Sequence, residues 1–123
     1  MAYLFKGRIN RRTWLLGNFE LLFVAVVLSM LITLVFRIMG LEQDSALSPT
    51  TLVTILLVLP LILSLSVRRL HDIGKSGWLA LIGFVPVLGS LINLYLLLGT
   101  GESGNNQYGA VSQPKWNLRV LFP

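Results

Sequence analysis

The chain has 123 residues, of which 54% are hydrophobic and 12% charged, and its net charge is +5. Soluble proteins carry about 25% charged residues, so a soluble domain this small would lack the side chains to face water over its large surface. Cys is absent and there is one His; this excludes disulfides, thiol catalysis and thiolate metal sites and leaves a zinc centre short of donors, so no metal and no cofactor are expected.

The pattern instead predicts an all-α integral membrane protein, a small bundle of about three transmembrane helices forming a single domain over residues 1–123. A basic segment, 1–13, comes first, with Lys6, Arg8, Arg11 and Arg12. The first apolar stretch, 14–36, exceeds the about 20 residues a bilayer requires. Asn10 is its expected N-cap, Trp14 an interfacial aromatic, and Met39-Gly40 its end. It is too long for a signal-peptide core and lacks a small-residue cleavage site. A loop, 37–48, carries Arg37, Glu42 and Asp44. Ser48-Pro49 then open the second stretch, 49–67, as N-cap and first helical residue. Pro60 should kink this helix and free a carbonyl, which Ser64 or a neighbouring helix could help to satisfy. The helix is expected to continue through the basic segment 68–77 as far as Gly74, a natural C′ residue. In the third stretch, 78–98, Pro86 and Gly89 sit near the centre. It is either a kinked span or a re-entrant hairpin turning at 85–89, whose arms are too short to cross a bilayer alone. The tail, 99–123, is rich in Gly, Asn, Ser and Gln and reads as irregular. Trp78, Tyr95 and Trp116 read as interfacial or packing aromatics.

Charge orients the chain. With three spans, seven basic residues (Lys6, Arg8, Arg11, Arg12, Arg68, Arg69 and Lys75) fall on one side and three (Arg37, Lys115 and Arg119) on the other. The positive-inside rule then puts the N-terminus and the 68–77 segment in the cytoplasm and the tail outside. The cations sit at the borders of apolar runs, which suits anionic lipid head groups. They do not lie along an aromatic-studded surface, so no nucleic-acid partner is expected.

Three apparent catalytic motifs fail on context. Gly74-Lys75-Ser76 resembles the end of a P-loop, but Arg69 stands where the earlier Gly is required. Gly99, Gly101 and Gly104 match a dinucleotide fingerprint, but neither the strand before it nor the helix after it is present. His71, Asp72 and Ser76 are the residue types of a hydrolytic triad. However, Gly74-Lys75-Ser76-Gly77-Trp78 misses the last Gly of a nucleophile elbow, and adjacent His and Asp point about 100° apart on a helix. No catalytic residue is assigned. Asp72 reads instead as a helix-surface partner of Arg68 and Arg69, and Ser76 as an N-cap. Glu20, inside the first span, is either a carboxylate reaching back to Arg68, Arg69 or His71 or part of a proton or cation relay. Thr33, Thr54, Ser64 and Asn93 read as hydrogen-bonding glue between helices.

Phe5-Lys6-Gly7-Arg8-Ile9-Asn10-Arg11, then Arg68-Arg69-Leu70-His71-Asp72-Ile73-Gly74-Lys75-Ser76-Gly77-Trp78, then Gly104-Asn105-Asn106-Gln107-Tyr108-Gly109 resemble, in order, the bacterial inner-membrane family called domain of unknown function 805. Leu79 stands where that family often has a second aromatic. The resemblance implies a bacterial inner-membrane protein of about three helices, brings no substrate, cofactor or active site, and directs attention to Gly7, Arg8, Arg11, Arg68, Arg69, His71, Asp72, Lys75, Ser76, Gly77, Trp78, Asn106, Tyr108 and Gly109. Three functions follow in descending order of support. The first is a non-enzymatic membrane component binding anionic lipid or a partner protein through a basic cytoplasmic face. The second is an oligomeric transporter or channel subunit, motivated by Glu20, Asn93 and the proline-interrupted helices. The third is an enzyme acting on lipid head groups.

Overall fold

The computed structural model describes residues 4–41 and 48–111. Within them lie α1 (Arg11–Ile38), α2 (Pro49–Asp72), a 3-10 helix (Gly77–Phe84) and α3 (Pro86–Leu98). Glu42, Asp44, Lys115, Trp116 and Arg119, to which the sequence assigned loop or tail roles, lie outside the described residues.

The helix ends follow local chemistry. The Asn10 side chain accepts the Thr13 N–H at 2.8 Å, and Ser48 Oγ accepts that of Thr51 at 3.3 Å, each satisfying one of the orphan donors of a first turn. Both long helices close in Schellman motifs. In α1 the Gly40 N–H donates to the Arg37 carbonyl and that of Leu41 to the Phe36 carbonyl, both at 3.0 Å. In α2 the Gly74 N–H donates to His71 at 3.1 Å and the Lys75 N–H to Leu70 at 2.9 Å. Gly74 has a φ of +73° there, the left-handed conformation that favours glycine. α2 continues through Pro60, and Ser64 turns away from the proline to donate to the Leu4 carbonyl. The hydroxyl expected to repair a kink therefore ties down the N-terminal segment instead.

At 1.5 Å per residue, the 28 residues of α1 extend about 42 Å and the 24 of α2 about 36 Å, each enough to cross a hydrocarbon layer of about 30 Å. The two pack antiparallel: the Ile9 N–H, just before α1, donates to the Arg68 carbonyl near the end of α2 at 3.2 Å. The buried residues of α1 (Thr13, Trp14, Gly17 and Leu21) all lie in its first half. Phe19, Leu22, Phe23, Met30, Leu34, Leu56 and Leu57 face outward. In contrast, Arg8, Arg68, Arg69 and Asp72 are buried. Apolar side chains outside and charges inside is the arrangement expected where the surrounding solvent is lipid. This is an all-helical integral membrane protein whose packed core sits at one end of the bundle. Trp14 belongs to that core, 6% exposed, rather than to an interfacial belt; Trp78 is 79% exposed.

The third apolar stretch is two short helices folded back on each other. The 3-10 helix, 8 residues at about 2.0 Å each, spans about 16 Å, and α3, 13 residues, about 20 Å. Neither crosses a bilayer alone. The break falls at Val85, which is extended, with a φ of −87° and a ψ of 117°. Pro86 restricts the residue before it to that region. A Cβ on Gly89 would collide with the Gly83 carbonyl, so the two backbones meet where neither carries a side chain. Of the two alternatives at this stretch, the structure has the re-entrant hairpin. Asn93 serves it locally, donating to its own helix at Gly89 O at 2.9 Å, and Thr54 likewise bonds Thr50 O within α2. Among the described residues neither bonds to another helix.

The hairpin returns the chain to its starting side. A Cβ on Gly99 would lie 2.8 Å from Ile73 Cδ1, and the Glu102 N–H donates to the Asp72 carbonyl at 2.9 Å. The described tail, 99–111, therefore shares a face with the 68–77 segment. The three-span count had put it on the opposite face.

Candidate functional site

Asp72, the last residue of α2, is the centre of the buried polar cluster. Arg8 Nε meets its Oδ1 at 3.2 Å, and Arg69 Nη1 meets its Oδ2 at 2.5 Å. The side chains of Arg8, Arg69 and Asp72 are 0%, 1% and 5% exposed. Two guanidiniums on one carboxylate leave an excess positive charge, and backbone oxygens absorb it. Arg8 Nη1 donates to Gly104 O at 2.6 Å and Gly109 O at 3.4 Å, and Nη2 to Glu102 O at 2.6 Å and Asp72 O at 3.4 Å. With Nε on Asp72, all five donors of that guanidinium are engaged. Arg69 donates Nε to Leu96 O at 3.0 Å and Nη2 to Gly99 O at 2.6 Å. The two arginines thus read the carbonyls of one passing strand of chain, from the end of α3 to Gly109. Gly101 runs so close to the carboxylate that a Cβ there would strike Asp72 Oδ2.

A second set of contacts fixes the end of that strand. The Asn106 side chain accepts the Tyr108 N–H at 3.0 Å, and Asn106 and Gly109 exchange backbone bonds at 3.1 and 3.0 Å, a short Asx-type turn. The turn lays Tyr108 flat on His71, with ring centroids 3.9 Å apart and planes inclined by 5°. Asn106 Nδ2 donates to His71 O at 2.9 Å and to Glu102 Oε2 at 2.6 Å. On the other side His71 Nδ1 lies 3.4 Å from Gly7 O. Three segments far apart in sequence form one clasped module.

The family's sequence model spans these three segments, matching residues 2–110, and its description is "Protein of unknown function" (DUF805). The chain belongs to the DUF805 family. It is similar to inner membrane protein YhaI of Escherichia coli K12, 34% identical over 112 residues, 91% of this chain and 86% of that one. It is also similar to inner membrane protein YhaH of the same strain, 28% identical over 106 residues, 85% of this chain and 84% of that one. No solved structure matches.

Most of the motif residues resembling DUF805 converge on this module. Gly7, Arg8, Arg69, His71, Asp72, Asn106, Tyr108 and Gly109 touch one another as described. Arg68 contributes its carbonyl to Ile9. Lys6, Arg11, Arg12 and Lys75 are exposed around it. Ser76, Gly77 and Trp78 line a cleft of about 510 Å³ between α2 and the 3-10 helix, together with Phe5, Leu63, Val67, His71, Ala80, Leu81 and Tyr108. Ser76 stands at the N-cap of the 3-10 helix, the position expected of it, though its side chain makes no cap bond. Glu20 stays apart. It is half-buried, nine residues into α1 or about 14 Å along it, and makes no ion pair among the described residues. Among the described residues Glu20 does not reach Arg68, Arg69 or His71 as expected, and Arg69 is held instead by Asp72 and two carbonyls. Gly101, Glu102 and the carbonyls of Leu96 and Gly99 were missed from sequence; apart from the Glu102 carboxylate, which meets Asn106, their roles depend on main-chain atoms, which no residue pattern marks. Among the described residues no three His, Asp or Glu side chains gather as metal ligands would.

Proposed function

We propose that this is a multi-pass inner-membrane protein with its N-terminus in the cytoplasm, acting without catalysis, whose clasped module presents a fixed basic face to anionic lipid head groups. One observation carries it. Arg8 and Arg69 are buried in the clasp, and Lys6, Arg11, Arg12 and Lys75 stand on the exposed surface around it, beside the exposed Trp78. Arg11 and Arg12 open α1, whose first turn holds no acidic residue. Cations there oppose the helix dipole, so helix stability does not account for them. Anionic lipid does. At about 1 kcal/mol per basic residue near such a surface, four cations favour anionic over neutral lipid by roughly a thousandfold. The inner-membrane relatives support the compartment, and the clustering of cations supports the cytoplasmic side.

The test is lipid retention. The protein, purified in mild detergent from bilayers of mixed composition, should keep anionic lipid in excess over its bulk fraction. Lys6→Glu/Arg11→Glu/Arg12→Glu/Lys75→Glu should abolish the excess. Retention that follows bulk composition in the native protein refutes the proposal. An oligomeric transporter is a second reading, favoured by the helix break at Val85 and by Glu20, which makes no ion pair among the described residues. A monomer in native-lipid nanodiscs would remove it.

A further inference from the structure

We infer that the cleft between α2 and the 3-10 helix is a binding site for one acyl chain of an anionic phospholipid, with the head group at the His71–Tyr108 end. This deepens the lipid reading above by naming one stoichiometric site distinct from the exposed cations of α1. The volume, about 510 Å³, is that of a ligand pocket. Its walls are graded. Leu63, Val67, Ala80 and Leu81 form the apolar part, while His71, Ser76 and Tyr108 supply polar groups. Ile62 and Phe84, outside it, are partly exposed apolar side chains. The apolar part is therefore continuous with the lipid-facing surface of the protein.

Charge selects the occupant. Among the described residues no acidic side chain lines the cleft. Lys6 adjoins Phe5 and Lys75 adjoins Ser76, and both lysines are exposed. Of the acids at this end of the bundle, Asp72 is held by two arginines, while the Glu102 carboxylate, bonded to the Asn106 amide, packs against Gly74. At this end of the bundle Lys6, Arg8, Arg11, Arg12, Arg68, Arg69 and Lys75 outnumber Asp72 and Glu102, so the end that holds the mouth carries net positive charge over an apolar interior, the complement of an anionic head group on an aliphatic chain. Gly77 lets the 3-10 helix approach α2 closely at the polar end of the cleft, since a Cβ there would lie 2.6 Å from Val67 Cγ1 and 3.2 Å from His71 Nε2. A second hollow of about 150 Å³, sharing Leu63 and Ala80 and reaching Ile92 and Leu96, extends the path toward α3.

The experiment is photocrosslinking of the full chain in nanodiscs doped with phosphatidylglycerol bearing a diazirine on one acyl chain, mapped by mass spectrometry. The expected result is one lipid per chain, crosslinked at Leu63, Val67 and Leu81 in preference to Met30 and Leu56 on the outer faces. Val67→Phe and Leu81→Trp fill the cleft from opposite walls. Displacing even two methylene groups costs about tenfold in affinity, so either variant should cut cleft crosslinking by about tenfold while Met30 and Leu56 remain labelled. Using both guards against one failing to fold. Arg11→Glu/Arg12→Glu should lower general anionic-lipid retention and leave cleft labelling in place, which separates failure of this site from failure of the basic face. Even labelling over all lipid-facing residues overturns the inference. So does equal labelling by the phosphatidylcholine analogue, or a crosslink from the cleft to a second protein in place of lipid.

Discussion

Replacing Asp72 with Asn should release the tail from the bundle. Asn keeps the shape of the side chain, so packing against Gly101 is nearly unchanged and only the charge is lost. Arg8 and Arg69 are then left as two buried cations without a counter-ion. Breaking a buried ion pair by removing one partner costs about 3–5 kcal/mol. Here Arg8 keeps its four carbonyl bonds and Arg69 keeps two, so the lower end, about 3 kcal/mol, is expected. That is more than a hundredfold in the docking equilibrium. Hydrogen exchange in nanodiscs reads it directly. The amides of Glu102, Asn106 and Gly109 are bonded in the clasp and should lose their protection together, while the middle of α1 keeps its own. Adding Arg8→Met should cost less than the sum of the single changes, because it removes one of the stranded charges; coupling within such networks is about 0.5–3 kcal/mol. Unchanged protection of residues 99–111 in Asp72→Asn would refute the view that this carboxylate holds the tail.

Gly101→Ala should weaken the same docking by about 1–3 kcal/mol, since its Cβ meets a carboxylate pinned by two arginines and unable to yield. Gly104→Ala, whose Cβ meets nothing within 4 Å, should change it by less than about 0.5 kcal/mol in the same exchange experiment. Tyr108→Ala should cost about 0.5–1.5 kcal/mol of stacking on His71, with Tyr108→Phe close to native in thermal unfolding. Single cysteines at Lys75 and Ser103, introduced into a chain with no Cys of its own, should react with a membrane-impermeant thiol reagent from the same side of the membrane. A cysteine at Met39, beyond the far end of α1, should react from the other. Opposite accessibility of Lys75 and Ser103 would mean that the hairpin crosses after all.

What was legible in the sequence is what depends on neighbours in the chain. Asn10, Ser48, Gly40 and Gly74 mark helix ends because capping involves residues two to five positions apart. The Arg69–Asp72 pair was visible for the same reason, being three residues apart on one helix. The break near Pro86 was visible too. Whether it kinked the helix or reversed it was not, because the reversal depends on Gly83 and Gly89 meeting backbone to backbone and on the tail docking beyond. Charge counting separates the tail from the 68–77 segment because it takes every apolar stretch to cross, whereas the described tail packs on that segment. Arg8 and Asp72 are 64 positions apart, a separation at which spacing carries no signal. The polar Gly104–Gly109 segment looked like loop filler, and only its family resemblance marked it. Its sequence is set by an Asx turn that aims one ring at another.

Tyr108 belongs to both halves of the molecule's chemistry. It closes the clasp by stacking on His71, and it lines the cleft. Docking of the tail therefore builds one wall of the proposed lipid site, while the lipid site contributes nothing to the Arg8–Asp72–Arg69 cluster. The two sets of variants should accordingly behave asymmetrically. Asp72→Asn should lower exchange protection of the tail and, by withdrawing Tyr108, reduce crosslinking at Val67 and Leu81 as well. Val67→Phe should reduce crosslinking and leave protection of residues 99–111 at the native level. If Asp72→Asn frees the tail yet cleft labelling persists undiminished, Tyr108 is not a wall of the lipid site, and the head-group end must lie with Ser76 and Trp78 instead.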